Sequence, residues 1–268
     1  MSRILDSRKI AIADSQSLLS FATEGGGSWK EWDRYLLFDG KKAYHMGNIC
    51  GTCTFFFERL GGANASVNPS QVVSDLTAGI ASVSASAVDQ IQKLVPVGTY
   101  FVMLNEITLS LTTPGSPSDY FSKEQVGLWG IDPFSGHPHN PKTEYYRADT
   151  QVFAGTSCLF EFVIPMFPQR WLDKQRVEEM KRLFGAGKKP TAISLSVLDV
   201  KQPADWTRSS VVKEHWCLAH YLIDGHHKAY AASQCNSPIT LLSFLSLGQG
   251  VSSEEQKTKI VEIMKTLP

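Results

Sequence analysis

The sequence predicts an α+β protein: a β-rich N-terminal part with one long helix, residues 1–168, packed on a C-terminal α/β unit, residues 169–268. Three observations carry this. Apolar residues alternate with period two through "TYFVMLNEITLSLTT". They recur at steps of three and four from Ser70 to Val95, and again in "RWLDKQRVEEMKRLF". Beyond Pro190, three strand-like runs are separated by a turn and a short helical stretch.

In chain order, residues 7–22 have an amphipathic helical spacing, broken by the three glycines of "TEGGGSWKEW". "DRYLLFDGKKAYHM" is a hairpin with the turn dipeptide Asp39-Gly40. "CTFFFERL" is a strand or the first turns of a helix. The long helix follows, with Val73, Leu76, Ile80, Val83, Ala87, Ile91 and Leu94 in its apolar pattern and Gly79 as its weak point. Residues 113–148, rich in proline and glycine, form a long irregular segment of the kind that is functional or mobile. "QVFAGTSCLFEFVIPMFP" is a strand ended by Pro165 and Pro168, and the next helix stops at Gly185 and Gly187. "PTAISLSVLDV", "WCLAHYLIDG" and "PITLLSFLSL" are strands, with "HHKAYAASQ" a short helix before the last. Ser253 and Gln256 have capping-box spacing for a terminal helix that buries Ile260, Ile263, Met264 and Leu267.

Twenty-six Lys and Arg balance 26 Asp and Glu, so no global field draws the chain to nucleic acid or an anionic membrane. No secretory leader pattern and no long uninterrupted apolar run is present, so a cytoplasmic protein without a membrane partner is expected. Five irregularly spaced cysteines do not form a disulfide framework, and most are expected as reduced thiols.

The most suggestive stretch is "HYLIDGHHKAYAA", His220 to Ala232. A strand feeding a helix presents unpaired N–H groups and a positive dipole end, where Gly225 permits close approach of a phosphate. His226, His227 and Lys228 are its candidate donors, and Asp224 is a candidate magnesium ligand. The plainer alternative is that Asp224 caps the helix and the histidines satisfy local hydrogen bonds. With "ISLSVLDVKQP" upstream, "YLIDGHHKAYAA" resembles the Asp-Gly-His-His-Arg turn of the ParB/sulfiredoxin superfamily, over about residues 190–250. The resemblance implies a nucleotide (ATP, ADP or CTP) with Mg2+, its phosphates held by residues 224–228. Lys228 stands where that family usually has arginine, which keeps the charge but loses the planar fork. Sulfiredoxins have their catalytic cysteine at the position of His226, so sulfinic acid repair is not expected. Phosphoryl transfer to a small hydroxylated acceptor needs a carboxylate base. Asp199 and Glu161 are the candidates, with His226 beside the phosphate; the alternative is a non-catalytic nucleotide sensor or interaction module.

Two other constellations stand apart from that turn. Cys50 and Cys53 of "CGTC" are buried thiols, half of a Zn2+ site, or a redox dithiol, with His45, His137, His139 and Cys158 as possible further ligands. "GHPHNPKTEYYR" sets His137 and His139 on one side of an extended segment that could close over the Asp224 turn, with Arg147 as an anion ligand. Trp29, Trp32, Trp129, Trp171, Trp206 and Trp216 are read as packing residues.

Overall fold

The computed structural model describes residues 2–64, 73–131, 135–204 and 212–266; Ser70, Trp206 and Leu267 lie outside them. The chain runs through β1 (Ser2–Ile12), β2 (Leu19–Gly26), β3 (Trp29–Phe38), β4 (Lys41–Asn48) and β5 (Glu58–Arg59). Helices α1 (Val73–Ala78) and α2 (Ala85–Ile91) follow, then β6 (Gly98–Ile107), β7 (Ser110–Thr112), α3 (Glu124–Trp129), β8 (Tyr145–Arg147), β9 (Gln151–Phe153) and β10 (Ser157–Ile164). The rest is α4 (Lys174–Gly185), β11 (Thr191–Lys201), β12 (Glu214–Asp224), α5 (His226–Cys235), β13 (Ile239–Ser246) and α6 (Glu254–Thr266). The fold is α+β.

A nine-stranded mixed sheet has the order β1-β6-β13-β11-β12-β10-β8-β7, with β9 also on β10. The boundary drawn after residue 168 falls in the connection between two of its strands, β10 and β11. A second sheet, β2-β3-β4-β5, is antiparallel. In a flat sheet, five strand spacings of about 4.8 Å would hold β1 about 24 Å from β10. Instead the Ser2 hydroxyl donates to Glu161 Oε1 at 3.0 Å, and Gln151 Nε2 donates to the Ser2 carbonyl. The main sheet is therefore rolled until its first strand meets its sixth.

Period-two alternation sorts the side chains onto the two faces of this roll. Inside, α6 places Ile260, Val261 and Met264 on Met103, Leu159, Leu198, Leu218 and Leu245. At the other end, Val177 and Phe184 of α4 and Ala229 and Ala232 of α5 pack on Ile107, Val163, Leu222 and Leu241. The outer face, including Tyr100, Phe162, Leu195, Tyr221 and Phe244, meets Leu36, Tyr44 and Phe57 of the smaller-sheet region and the α1–α2 segment. Among the described residues no helix is long and apolar enough to cross a membrane.

Several local expectations hold: Asp39 and Gly40 both take positive φ in the β3–β4 turn, and Ser253 and Gln256 bond reciprocally as a capping box. Two differ. Residues 7–22 are not a helix but the end of β1 and the start of β2, because antiparallel pairing of β1 with β6 supplies partners that local spacing cannot reveal. Over the described residues 73–95, the long helix expected from Ser70 to Val95 is instead two short helices and a 3-10 turn, Gln92–Leu94. Gly79 takes φ 95°, where a Cβ would lie 2.4 Å from the Lys189 carbonyl oxygen, and Ser84 starts α2 by accepting from the Ala87 N–H. The apolar spacing still does its work, since Leu76, Val83 and Ile91 are buried and Ile80 and Leu94 partly so.

Candidate functional site

The Asp224–Lys228 turn forms as the strand, turn and helix that its residues dictate, with Gly225 at φ 99° as the N-cap. Its side chains are engaged locally. His226 is buried, stacks on Phe167 with ring centroids 3.9 Å apart, and accepts the Met166 N–H at Nε2 at 2.9 Å. Burial, and then the neighbouring His227, push its pKa down to about 3, so the ring is neutral. His227 accepts the Asp173 N–H at 3.0 Å, and burial also lowers its pKa. Lys228 donates to the Thr191 carbonyl and to Asp224 Oδ2. The turn therefore ties the end of β10 and the start of α4 to α5. Both Nε2 atoms are taken up as acceptors and Lys228 is paired, and each neutral ring then carries its proton on Nδ1.

Gly225 is nonetheless indispensable to this corner. A Cβ there would lie 2.4 Å from the Ala192 Cβ at a positive φ. Gly225→Ala is expected to cost on the order of 2–3 kcal/mol in urea unfolding. Gly187→Ala, also at positive φ but with open space around it, is expected to cost only about 1 kcal/mol.

The proposed bases stand elsewhere. Asp224 faces Ile193 in the β11–β12 register, and Asp199 lies six residues further along β11, about 20 Å away. Glu161 is level with Leu218, again six residues and about 20 Å from Asp224. They also point to opposite faces. Asp199 is locked on the outer face by Arg34, with Nη1 to Oδ1 at 2.9 Å and Nη2 to Oδ2 at 2.5 Å, and it accepts the Val251 N–H at 2.7 Å. Burial alone would raise its carboxyl; the charges of Arg34 and Lys201 and these hydrogen bonds outweigh burial and hold it below the usual carboxylate range.

Glu161 belongs to a polar belt inside the roll that sequence reading missed apart from this one residue. His220 Nε2 lies 3.0 Å from Glu161 Oε1 and its Nδ1 lies 2.7 Å from Ser196 Oγ, with Ser194 3.2 Å further on. Asn105 donates to Ser243 across β6 and β13. The Ser–His–Glu order has the look of a nucleophilic triad. However, Ser196 and His220 are 0% exposed and Glu161 is 2% exposed, between two apolar layers, so no substrate reaches the hydroxyl. Its hydrogen bonds join β1, β10, β12 and β11 through Ser2, Glu161, His220 and Ser196, and separately join β6 to β13 through Asn105 and Ser243.

Arg147 is likewise engaged, by Glu124 at 2.8 Å, the Ser118 carbonyl and Thr150, and anchors the loop before α3. The segment with His137 and His139 does not cover the Asp224 turn. It lies against the chain after the CGTC loop, with His139 Nε2 2.9 Å from the Phe57 carbonyl and the Arg59 N–H on the Pro141 carbonyl. Between them is a cleft of about 380 Å³ whose walls include Thr54, Phe56, Phe121, Gln125, His137 and His139.

Cys50 and Cys53, just before the cleft residue Thr54 in the chain, form a disulfide, so neither is a thiolate available to zinc. Among the described residues no group of three or more His, Cys, Asp and Glu side chains is placed to hold a metal. Cys158 and Cys217 are buried free thiols, and Cys235 is an exposed one. Both bonded cysteines are half-buried. The Cys53 N–H donates to Cys50 Sγ at 3.1 Å, and Thr52 Oγ1 lies 3.4 Å from the same sulfur. Lys201 Nζ donates to the Cys50 carbonyl at 2.6 Å; burial brings its pKa down to about 8 despite the opposing pull of Asp199. Trp129 closes the loop from α3 by donating to the Thr52 carbonyl. No family model, curated protein or solved structure matches this chain.

Proposed function

We propose that the chain is a thiol–disulfide exchange protein whose working group is the Cys50–Cys53 pair. The observation that carries this is a hydrogen bond to one sulfur of a half-buried disulfide: Cys50 Sγ receives the Cys53 N–H, and among the described residues Cys53 Sγ receives no such bond. A donor aimed at sulfur stabilises the thiolate and makes Cys50 the better leaving group. An incoming thiolate RS⁻ attacks Cys53 Sγ, the S–S bond breaks, and Cys50 departs as thiolate. A second thiolate then attacks the substrate sulfur of the mixed disulfide, releasing RSSR and leaving both cysteines reduced. Two thiols are oxidised, the protein disulfide gains two electrons, and the thiol protons pass to solvent.

Loop length supports the reading. Closing a four-residue loop removes only about 2 kcal/mol of chain entropy from the unfolded state, against about 4.7 kcal/mol for a hundred-residue loop. The bond is thus a weak brace, and the loop has others in Lys201 and Trp129. In a reducing cytoplasm such a pair cycles rather than persists.

The test uses a Cys235→Ser background, which removes the exposed thiol. Under native conditions millimolar dithiothreitol should expose two additional titratable thiols, and oxidised dithiothreitol should close them again without change in the folded spectrum. Adding Cys50→Ser should leave Cys53 able to form a mixed disulfide with glutathione that no partner thiol resolves. A disulfide that resists dithiothreitol until the chain unfolds would sink the reading.

A further inference from the structure

We infer that Lys201 is a positioning residue of the exchange centre: its ammonium is the fixed positive charge that stabilises the Cys50 thiolate when the disulfide opens. The inference rests on the exchange reading for its role, but the geometry behind it is independent of that reading. Lys201 is 1% exposed, at the end of β11. Its Nζ donates to the Cys50 carbonyl at 2.6 Å and to the Asn48 carbonyl at 3.4 Å. The next residue repeats the contact, because the Gln202 N–H donates to the Gly51 carbonyl at 3.1 Å. Two consecutive residues of the strand thus hold two consecutive residues of the disulfide loop, and the Cys50 N–H is itself fixed on Asn48 Oδ1 at 3.1 Å.

What the lysine lacks is a bonded counterion. Asp199, two residues back on the same face of the strand, gives both carboxylate oxygens to Arg34 and one of them also to the Val251 N–H. Among the described residues Lys201 Nζ has only carbonyl oxygens as hydrogen-bond partners. A buried ammonium held by neutral dipoles alone is costly. Opening the disulfide supplies what is missing, since a Cys50 thiolate is a full negative charge beside it. The lysine is charged at neutral pH to meet it: burial brings its pKa down only to about 8, against the pull of Asp199, with Arg34 acting in the same direction as burial and Cys217 against it.

Distance decides how strongly the charge acts. Bond lengths put a cysteine Sγ within about 5 Å of its own carbonyl oxygen, so the ammonium stands within about 8 Å of the Cys50 sulfur. At an effective dielectric of about 20, a unit positive charge at that range favours the thiolate on the order of ten-fold. The Cys53 N–H on Cys50 Sγ acts in the same sense. The exchange step is the one already written: the S–S bond breaks, Cys50 departs as thiolate, Lys201 keeps its proton, and the thiol protons pass to solvent. A better leaving group departs faster, so the lysine speeds the opening of the disulfide without touching the incoming thiol.

The experiment titrates the Cys50 thiol by thiolate ultraviolet absorbance in a Cys53→Ala, Cys235→Ser protein. Burial pushes the two remaining thiols, Cys158 and Cys217, well up, so Cys50 is the one that ionises in the neutral range. With Lys201 in place its pKa should lie below the ordinary thiol value of about 8.5. Lys201→Gln, which keeps an N–H donor for the loop but no charge, should make the thiol on the order of ten-fold less acidic, whereas Lys201→Arg, which keeps the charge, should not. With both cysteines restored, dithiothreitol at neutral pH should reduce the Lys201→Gln disulfide several-fold more slowly than the parent one, urea midpoints being recorded so that loss of fold is not mistaken for loss of charge. A Cys50 pKa at or above about 8.5 with Lys201 in place would overturn the inference whether or not the lysine variants fold. So would a lowered pKa that Lys201→Gln leaves unmoved, since a lysine that only braces the loop predicts that result; brisk reduction of the parent disulfide would in either case leave the exchange reading intact. A parent disulfide that resists dithiothreitol until the chain unfolds, with Cys50 acidity still following the charge at position 201, would overturn the exchange reading while the hold of Lys201 on the thiolate stands.

Discussion

Arg34→Met should cost about 3–5 kcal/mol of folding stability, because it strands a buried carboxylate rather than merely deleting a contact. Arg34 and Asp199 are each 3% exposed at the side chain, and the guanidinium also donates to the Met46 carbonyl at 2.7 Å. The pair joins β3 of the smaller sheet to β11 of the main one, and through Val251 it reaches the loop before α6. For a chain with a total stability of about 5–15 kcal/mol, such a loss is a large fraction of the whole. Replacing both partners, Arg34→Met with Asp199→Leu, should recover much of it, since neither charge is then left without its counterion. Urea unfolding midpoints of the wild type, the single variant and the double variant check this. A single variant that loses less than about 1 kcal/mol would show that water or Lys201 takes over the role. The same pair sets an acid limit. Asp199 is held below its unfolded value of about 3.9, so its contribution is complete above that value and is lost as pH falls through the lower folded one.

This clamp marks how far the sequence could be read. Asp199 stands out as a carboxylate near the end of an apolar strand, but its partner is 165 residues away, and nothing local to "DRYLLF" announces that Arg34 turns inward. The same holds for the fold. The Asp39-Gly40 hairpin and the Ser253 capping box were legible because their determinants lie within a few residues of each other. β1 was not, because its partner β6 is contributed by residues 98–107, and an isolated amphipathic run fits either period when short. In the site, Cys50 and Cys53 were visible as a pair, while Gln125 was not. A neutral amide in a short helix inside a proline-rich segment carries no pattern, and only the packing around it leaves its oxygen buried without a partner among the described residues. At the histidine turn the sequence leaves two readings open, because residue types suited to hold a phosphate are equally suited to accept backbone N–H groups, and the bonds from Met166 and Asp173 are ones that only the folded chain reveals.

Those neighbours also make the folded state sensitive to mild acid, well above the range where Asp199 titrates. Burial holds His226 at a pKa of about 3, and burial does the same to His215, whose Nδ1 receives the Tyr120 hydroxyl at 2.9 Å. Protonating His226 would set its Nε2–H against the Met166 N–H, and protonating His215 would charge a ring packed on Phe160 and Trp129. In the unfolded chain both histidines titrate near 6.5. Between about 6.5 and 3 these two histidines therefore bind two more protons in the unfolded state than in the folded one, so the stability they contribute is full above that interval and falls as pH drops through it. Each histidine contributes a slope of about 1.4 kcal/mol per pH unit, and the two together about 2.7. Urea midpoints across this range should show that slope, and His226→Gln, which keeps an acceptor near the Met166 N–H but cannot be protonated, should remove about half of it. If wild type and variant instead lose stability in parallel, His226 is charged in the folded state, its ring donates rather than accepts, and the Asp224–Lys228 turn regains the positive charge that a phosphate would need.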